Sequence, residues 1–405
     1  MRGVSAPRSG LPDAGRSWSH FAHVYRFVLL LLIVVLAVSS ARAHDASSYG
    51  GVFRSRNLGG TWLNADVGLF LNAALVVAID PQNPSHLLAG TDLGLLGSHN
   101  GGLSWAPEAP DRIFGAVFAV TFLRDGKRAI CAAQSGIFRF EAGQWKAALA
   151  PEAAIPAKML VTGVSDDRIY LLGRDRLFTS SDSGQTFVEV AGPSETSTIT
   201  GLAIVRSEPE LVVAVIDGQV TTSEDGGRNW RLRALGRGQP VDNLVADTHV
   251  PKRVWAAHAG RIYSSDDLGS SWRTVGRALP DPATTIRGIA ANDEATILVV
   301  TTNRGLYRSE NSGESWVLKE DNLPIHLEAG PLARDPSDAS VLYAVYSLMP
   351  YSEVWRAAIE GGNLLRRLDP ISLAGGVSFI LLILIGGTLF ARLLARSRLA
   401  GSGRL

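Results

Sequence analysis

Several side chains with possible acid–base or binding chemistry stand in short polar segments between apolar runs. Asp92, Asp175 and Asp217 could supply a pair of carboxylates for acid–base catalysis. Arg174 beside Asp175 could bind an anion, and His258 could bind a metal ion. Acidic residues are also common in turns because they accept bonds from backbone N–H groups. His258 has no partners at metal-ligand spacing, so we expect no metal site and favour turn roles for all five residues.

Two tyrosines and one cysteine complete the possible nucleophiles. Tyr343 and Tyr346 alternate along the apolar run "VLYAVYS", which favours packing in a strand over catalysis. Cys131 is the chain's single cysteine and lies in the apolar run "AICAAQ", so we expect a buried core thiol. One cysteine also excludes an internal disulfide and a thiolate metal cluster.

An eight-residue segment recurs along the chain and ends each time in an aromatic residue. The full copies are "SRNLGGTW", "SHNGGLSW", "SSDSGQTF", "SEDGGRNW", "SDDLGSSW" and "SENSGESW". A divergent copy, "FRFEAGQW", fills the one double gap, so the period is about 42 residues. A repeat of this length indicates a fold built from one structural unit used many times.

The residue types in these octets predict a structural turn. The glycines permit turn geometry, the Asn or Asp can bond backbone N–H groups, and the aromatic can pack between neighbouring units. Because three of the six acidic positions hold asparagine, we predict no metal there. The structural positions are Asn57, Trp62, Asn100, Trp105, Asp182, Phe187, Asp225, Trp230, Asp267, Trp272, Asn311 and Trp316.

Each unit reads as four short strands separated by Pro, Gly, Asn and Asp turns. In residues 74–105, "ALVVAID", "HLLAGT" and "LLGS" are apolar runs, and the octet then leads to a fourth strand. This pattern predicts an all-β fold, a seven-bladed β-propeller with the octet between the third and fourth strands of each blade. We expect the N-terminal hairpin to close the ring in the last blade. Eight blades remain the alternative if "EVWRAAIEGGNLLRRL" forms another hairpin.

The octets resemble the Asp-box, or BNR, repeat, whose pattern is Ser-x-Asp-x-Gly-x-Thr-Trp. The resemblance covers residues 50–316 approximately, and it implies a β-propeller. Sialidases, xyloglucanases, sortilin-type receptors and photosystem II assembly factors share the motif, so it implies the fold more specifically than the function.

In Asp-box enzymes the active site lies on the face opposite the octets. The resemblance therefore implies a site built from second-to-third-strand turns and from linkers between blades. Loops at a propeller mouth are also a common place for ligand binding. The residues that we expect at this mouth are Asp92, Gln134, Arg174, Asp217, His258, Asn303 and Tyr351.

Of the proteins that share the Asp-box motif, the enzymes and the sortilin-type receptors fit this sequence poorly. A sialidase carries Arg-Ile-Pro near its first strand, where this chain has "VFRSRN". Xyloglucanases place their carboxylate pair between two propellers, and we predict one propeller here. Sortilin-type propellers have ten blades and a cysteine-rich module. A photosystem II assembly factor is similar in size, because it is a single seven-bladed propeller that helps to assemble membrane complexes.

The two ends of the chain indicate export and membrane attachment. The apolar segment 27–38 follows arginines and precedes "ARA", which predicts a signal peptide over residues 1–43, with an uncleaved anchor as the alternative. Residues 371–390 carry no charge and are long enough to span a bilayer. The arginine-rich tail 391–405 should stay cytoplasmic, which leaves the propeller, residues 44–368, outside the cytoplasm in a single-pass membrane protein.

The function that the sequence favours is binding without catalysis. A formal net charge of +1 over 405 residues argues against a nucleic-acid partner. We predict no cofactor. We expect a membrane-tethered scaffold that binds a protein partner or a membrane complex. A sialidase-like or other glycoside hydrolase is the alternative.

Overall fold

Seven four-stranded antiparallel sheets make up the described part of the chain. The structure is a computed structural model that describes residues 49–360, except 68, 70, 164–167, 208, 234, 236–237, 282 and 325. The innermost strands of the seven sheets contact one another in cyclic order, so the sheets are blades around a ring. The predicted seven-bladed β-propeller is confirmed.

The strands of each blade run outward from the ring's centre in chain order. Blade 1 is β3 (Ala74–Ile79), β4 (Leu87–Thr91), β5 (Leu95–Ser98) and β6 (Ala106–Pro107); blade 2 is β7 (Val117–Phe122), β8 (Ala129–Ala133), β9 (Gly136–Glu141) and β10 (Gln144–Ala147); blade 3 is β11 (Met159–Thr162), β12 (Ile169–Leu172), β13 (Leu177–Ser180) and β14 (Val188–Val190); blade 4 is β15 (Ile199–Val205), β16 (Leu211–Ile216), β17 (Gln219–Ser223) and β18 (Arg231–Leu232).

The other three blades follow the same order except for the last, which joins the two ends of the propeller. Blade 5 is β19 (Asn243–Ala246), β20 (Val254–His258), β21 (Arg261–Ser265) and β22 (Arg273–Val275); blade 6 is β23 (Ile286–Ala291), β24 (Leu298–Thr302), β25 (Gly305–Ser309) and β26 (Val317–Leu318); blade 7 is β27 (Glu328–Arg334), β28 (Leu342–Ser347), β1 (Gly51–Ser55) and β2 (Leu63–Asn64). A 3₁₀ turn (Glu152–Ala154) and helix α1 (Tyr351–Ile359) complete the described elements.

The N-terminal hairpin closes the ring, as the sequence predicts. Strand β1 pairs with β28 from Gly51↔Tyr346 to Ser55↔Leu342. The expectation of a possible eighth hairpin at residues 353–368 is wrong over its described part, because residues 351–359 form helix α1. No edge of β28 is therefore left free for a further strand.

The hydrophobic core lies between neighbouring blades. Ile130 and Ala132 of blade 2 pack against Leu160, Ile169 and Phe178 of blade 3, for example. Burying one such leucine or isoleucine contributes about 1.5–3 kcal/mol. Central strands such as β16, "LVVAVI", are buried on both faces, which is why they read as continuous apolar runs rather than as alternating ones.

Each full octet lies in the hairpin between the third and fourth strands of its blade. In blade 5, the Ser265 hydroxyl donates to Asp267 Oδ1 (2.7 Å) and accepts from the Gly269 N–H (2.8 Å). Asp267 Oδ1 also accepts from the Ser271 N–H at 2.8 Å. The same three bonds occur in the other five full octets, so the serine and the Asn or Asp hold the turn together.

The aromatics of the octets tie each blade to the one before it. The indole N–H of Trp316 in blade 6 donates to the Arg277 carbonyl after blade 5 at 3.0 Å. Trp105 of blade 1 donates to the Ala65 carbonyl after blade 7 at 2.7 Å. The divergent octet of blade 2 is a shorter turn with Ala142 and Gly143 at positive φ, yet Trp145 still donates to Glu108 of blade 1 at 2.9 Å.

The membrane-related predictions fall on other parts of the chain. Among the described residues, no helix has the length and apolar character needed to cross a membrane. The predicted signal peptide (1–43), spanning segment (371–390) and basic tail (391–405) lie outside the described residues.

Candidate functional site

A central channel of about 1080 Å³ runs between the seven inner strands. Its wall is mainly apolar and includes Val76, Val120 and Leu244. Inner strands begin at one face of the ring, where the second-to-third-strand turns also lie, and they end at the octet face. We call the first opening the mouth, because the sequence places its candidate site there.

The seven predicted mouth residues all lie at this face, but six of them are spread over six different blades. His258 ends the second strand of its blade, and the other five follow theirs, namely Asp92, Gln134, Arg174, Asp217 and Asn303. Several make the same backbone bond to the linker that leads into that blade, such as the Gln134 N–H to the Ala116 carbonyl at 3.0 Å. The ring therefore spaces these six residues around the mouth.

Asp217 and Asn303 use their side chains to hold their own linkers. The Thr198 N–H donates to Asp217 Oδ1 at 2.8 Å, and the Thr285 N–H donates to Asn303 Oδ1 at the same distance. The bond from the Thr198 N–H lowers the pKa of Asp217. Both side chains therefore hold the linker that leads into their own blade.

His258 faces a carboxylate of its own blade. Its Nδ1 lies 3.5 Å from Asp242 Oδ2, which also accepts from the Ala259 N–H at 2.9 Å. Within the described ranges, no three or more His, Cys, Asp and Glu side chains come together in a way that could hold a metal ion.

The remaining turn residues differ in burial. Asp92 is half-buried, and this burial raises the pKa of its carboxyl group. Arg174 and its neighbour Asp175 are exposed on blade 3. Asp175 lies close enough to the Lys158 ammonium to oppose the lowering of the Lys158 pKa that burial causes.

Tyr351 belongs to a helix rather than to a turn between strands. It is the first residue of α1, and its hydroxyl donates to the Leu75 carbonyl in the inner strand of blade 1. Its N–H donates to Glu328 Oε2 at 2.7 Å, and the guanidinium of Arg287 lies 4.9 Å from its ring centroid. Burial raises the pKa of the hydroxyl well above its ordinary range.

Helix α1 lies across the mouth and packs on several blades. Val354 and Ala358 are buried against residues in, or directly before, the inner strands of blades 1 and 2, namely Ala73, Leu75, Ala116 and Phe118. Trp355 meets Phe118 edge-on at 5.0 Å, and the Lys158 ammonium of blade 3 lies 5.4 Å from the Trp355 ring centroid. The helix thus covers the mouth.

Sequence reasoning missed this helix although a signal was present. Tyr351, Val354, Trp355 and Ala358 follow the i, i+3, i+4, i+7 spacing of an amphipathic helix. Pro350 stands directly before the helix, where its fixed φ suits a helix start. The residues that contact the helix could not be inferred, because they come from three different blades; they are Glu328, Arg287 and Lys158.

A buried charged cluster lies near the octet-face end of the channel. Arg334 Nη1 of blade 7 is 3.3 Å from Asp247 Oδ1 of blade 5, and both side chains are buried. Asp247 also accepts from the Trp255 indole at 3.1 Å and from two backbone N–H groups. Arg253 adds a bond to the Asp293 carbonyl of blade 6 at 2.8 Å. These groups join three consecutive blades, so their arrangement is structural.

The two tyrosines of β28 are packed in the core. Tyr346 is fully buried and meets Phe53 of β1 edge-on at 5.2 Å. Tyr343 is also buried, and its hydroxyl donates to the Gly101 carbonyl at 3.4 Å. Burial raises the pKa of both hydroxyls. Neither hydroxyl is placed where a substrate could reach it as a nucleophile.

Comparisons with known proteins identify relatives of the fold. No protein-family model matches the chain. An oligoxyloglucan reducing end-specific xyloglucanase of Emericella nidulans is 25% identical over 184 residues, which are 42% of this chain and 22% of that enzyme. The chain thus matches about a fifth of the length of this curated relative.

Two solved structures are similar to this chain in fold. YCF48 bound to D1 peptide superposes with a TM-score of 0.51 at 17% identity, covering 70% of this chain and 94% of that one. YCF48 from Cyanidioschyzon merolae gives a TM-score of 0.52 at 16% identity, covering 69% of this chain and 97% of that one. At these identities the likeness concerns the fold alone.

Proposed function

We propose that this chain is a membrane-tethered β-propeller outside the cytoplasm that binds a protein partner and carries out no catalysis. The observation that carries the proposal is the position of helix α1. The helix fills the mouth where Asp-box enzymes have their active site, and it is fixed there by buried contacts to blades 1, 2 and 7. What remains accessible at this face is a ring of turns, which suits a binding surface.

The polar turns of blades 3 to 6 are the surface that we assign to the partner. Arg174, Asp217 and Arg304 are exposed there in short turns between paired strands, and Arg261 is exposed at the start of β21. Short turns between paired strands hold their backbone in a fixed position, which lowers the entropic cost of binding. YCF48, which has a similar fold, is bound to D1 peptide in one of the solved structures, and this supports a peptide or protein as partner.

The repeat family and the location belong to the same proposal. We assign the octets to the Asp-box repeat, because all six full copies make the same three turn bonds. We assign the propeller to the outer side of a membrane, because of the predicted export signal and the uncharged segment 371–390.

Site-specific photo-crosslinking in native membranes tests the proposal. A photoreactive residue replaces Arg174 or Arg304 at the mouth face, and Arg228, an exposed arginine in the octet of blade 4, is the matched control. We expect a discrete crosslinked protein from Arg174 and Arg304 and none from Arg228. No crosslinked protein from either mouth position, or equal capture at all three, would overturn the proposal.

A glycoside hydrolase is the second candidate, favoured by the match to the xyloglucanase. Asp92 would be the proton donor in that case, since its pKa is raised. The purified full chain is incubated with xyloglucan oligosaccharides, and new reducing ends are counted. We expect none. Release of reducing ends that the Asp92→Asn variant loses would establish the hydrolase instead.

A further inference from the structure

Four large apolar side chains are exposed together on the mouth face of blades 7, 1 and 2. Leu93 is 68% exposed, Phe114 58%, Leu348 49% and Met349 37%. Leu93 lies in the second-to-third-strand turn of blade 1, and Phe114 lies in the linker into blade 2. Leu348 and Met349 follow β28 of blade 7. We call these four residues the apolar rim.

Backbone contacts place the residues of the apolar rim on neighbouring segments of the chain. The Leu348 N–H donates to the Asn72 carbonyl at 2.7 Å, and the Asp92 N–H donates to the Ala73 carbonyl at 3.3 Å. The Gly115 N–H then donates to the Leu93 carbonyl at 3.2 Å, and Gly94 forms a β-bridge with Phe114. The four side chains therefore follow one stretch of the ring's edge.

Five other exposed apolar residues lie apart from one another. Leu63, Val188, Leu232 and Val317 lie on the outermost strands of four separate blades, so they are distributed around the circumference. Leu103 lies in an octet on the opposite face. Scattered apolar residues are normal on a soluble surface, whereas a contiguous group marks an interaction site.

The described part of the chain ends with helix α1, on the same face and close to the apolar rim. The buried side of α1 contacts Ala73 and Ala116, which are next to Asn72 and Gly115 of the rim's backbone. Only ten residues separate the last described residue, Glu360, from the uncharged segment 371–390. Ten residues reach at most about 35 Å, so a span at 371–390 would hold this face near the bilayer.

We infer that the apolar rim lies against the surface of the lipid bilayer that the segment 371–390 enters. The inference rests on the proposed membrane tether. Leucine, phenylalanine and methionine side chains enter the boundary between headgroups and acyl chains favourably. Blades 7, 1 and 2 are then nearest to the membrane, and the polar turns of blades 3 to 6 on the same face lie further from it, where the partner binds.

Single cysteines with an environment-sensitive fluorophore test this orientation. The native Cys131 is fully buried, so an introduced cysteine is the thiol that the reagent reaches. Leu93→Cys and Phe114→Cys report on the apolar rim. Leu103→Cys and Leu232→Cys are controls, because they replace equally exposed leucines at the octet face and at the outer edge.

The labelled full chain is reconstituted into vesicles of phosphatidylcholine and phosphatidylglycerol that carry nitroxide lipids. Flotation with the vesicles reports the tether separately from the orientation. We expect all four variants to float, and the nitroxide to quench the fluorophore at residues 93 and 114 at least threefold more than at residues 103 and 232. Equal quenching at all four positions with normal flotation would overturn the orientation and leave the tether standing.

Two other outcomes are also decisive. Failure of every variant to float would remove the membrane tether and the orientation together. Fluorophores at residues 93 and 114 that are shielded in native membranes but not in pure lipid vesicles would assign the apolar rim to a protein partner instead. Unchanged near-ultraviolet circular dichroism of each variant checks that the labelled propeller is folded.

Discussion

Single residues of the octets show why asparagine and aspartate are interchangeable there. In the aspartate octets, Oδ2 accepts from the side chain four residues later, as from Ser271 to Asp267 at 2.6 Å. In two of the asparagine octets the Asn side chain is the donor of this hydrogen bond instead. Asn311 Nδ2, for example, donates to Ser315 Oγ at 2.9 Å. Because a hydroxyl can donate or accept, either side chain satisfies the turn. The charge itself is not needed, which agrees with the structural role that the residue types predict.

Asp66 is a buried carboxylate that clamps the ring closure. Its Oδ2 accepts from the Val52 N–H of β1 at 3.0 Å, while its Oδ1 has no hydrogen-bond partner among the described residues. Burial raises the pKa of Asp66 to about 6. The pKa of Asp66 in the unfolded chain is about 3.9. Between about pH 4 and about pH 6, Asp66 is therefore protonated in the folded protein and ionised in the unfolded chain.

The stability should therefore fall as the pH rises from about 4 to about 6. A shift of about two pH units corresponds to about 3 kcal/mol of unfolding free energy. Asp66→Asn cannot ionise, so the difference in stability between variant and native protein should change by about this amount across the window. Urea unfolding at pH 4, 5, 6 and 7 measures it, with Asp111→Asn as an exposed control. Parallel curves for native protein and Asp66→Asn would contradict the prediction.

At the scale of elements, the sequence predicted the strands well and the helix poorly. Each strand pair is local and its octet is repeated, so the pattern predicts the runs correctly; "ALVVAID", for example, begins where β3 (Ala74–Ile79) begins. Helix α1 occurs once, and its apolar spacing over nine residues also fits a short strand pair. The helical conformation is favoured by the contacts that α1 makes with the mouth, and this surface forms only when blades 1, 2 and 7 have come together.

We expect α1 to be an element that can come off without unfolding the blades. A helix of nine residues is not stable alone, so its docking depends on buried contacts such as Val354. Val354→Asp should release the helix, because burying an unpaired carboxylate is costly. Hydrogen exchange of residues 351–360 should speed up roughly tenfold or more, while the β-strands keep their protection.

Ser352→Asp is the matched control for this prediction. It adds the same charge two residues earlier on the exposed side of the first helical turn, where a carboxylate is favourable. Its exchange should stay as slow as in the native protein. If Val354→Asp instead leaves α1 protected, or unfolds all seven blades, the helix is not a separately docked element.

At the scale of the whole molecule, the ring depends on a contact between its two ends. Blade 7 takes two strands from each end of the propeller, and the buried side chains Val52, Phe53 and Trp62 anchor the N-terminal pair. The sequence predicted this closure because an octet precedes the first complete blade. The position of α1 and the apolar rim on one face could not be predicted from the sequence. Their residues are far apart in the chain and come together only when the ring of seven blades has closed.

A cut in the linker between β2 and β3 tests how strongly this closure holds. A protease site inserted after the exposed Val67 allows the chain to be cut once it has folded. The fragment with β1 and β2 should remain bound to β28 in native conditions, because its five paired residues and anchors stay in place. Unfolding then becomes bimolecular, so each tenfold dilution should lower the apparent stability by about 1.4 kcal/mol. Urea unfolding of the cut and uncut chain at several protein concentrations measures this.

Two outcomes would contradict the prediction. The fragment could separate from the rest of the chain on gel filtration without denaturant, or the urea midpoint of the cut chain could be independent of protein concentration. Either would show that the ring does not depend on the pairing of β1 with β28.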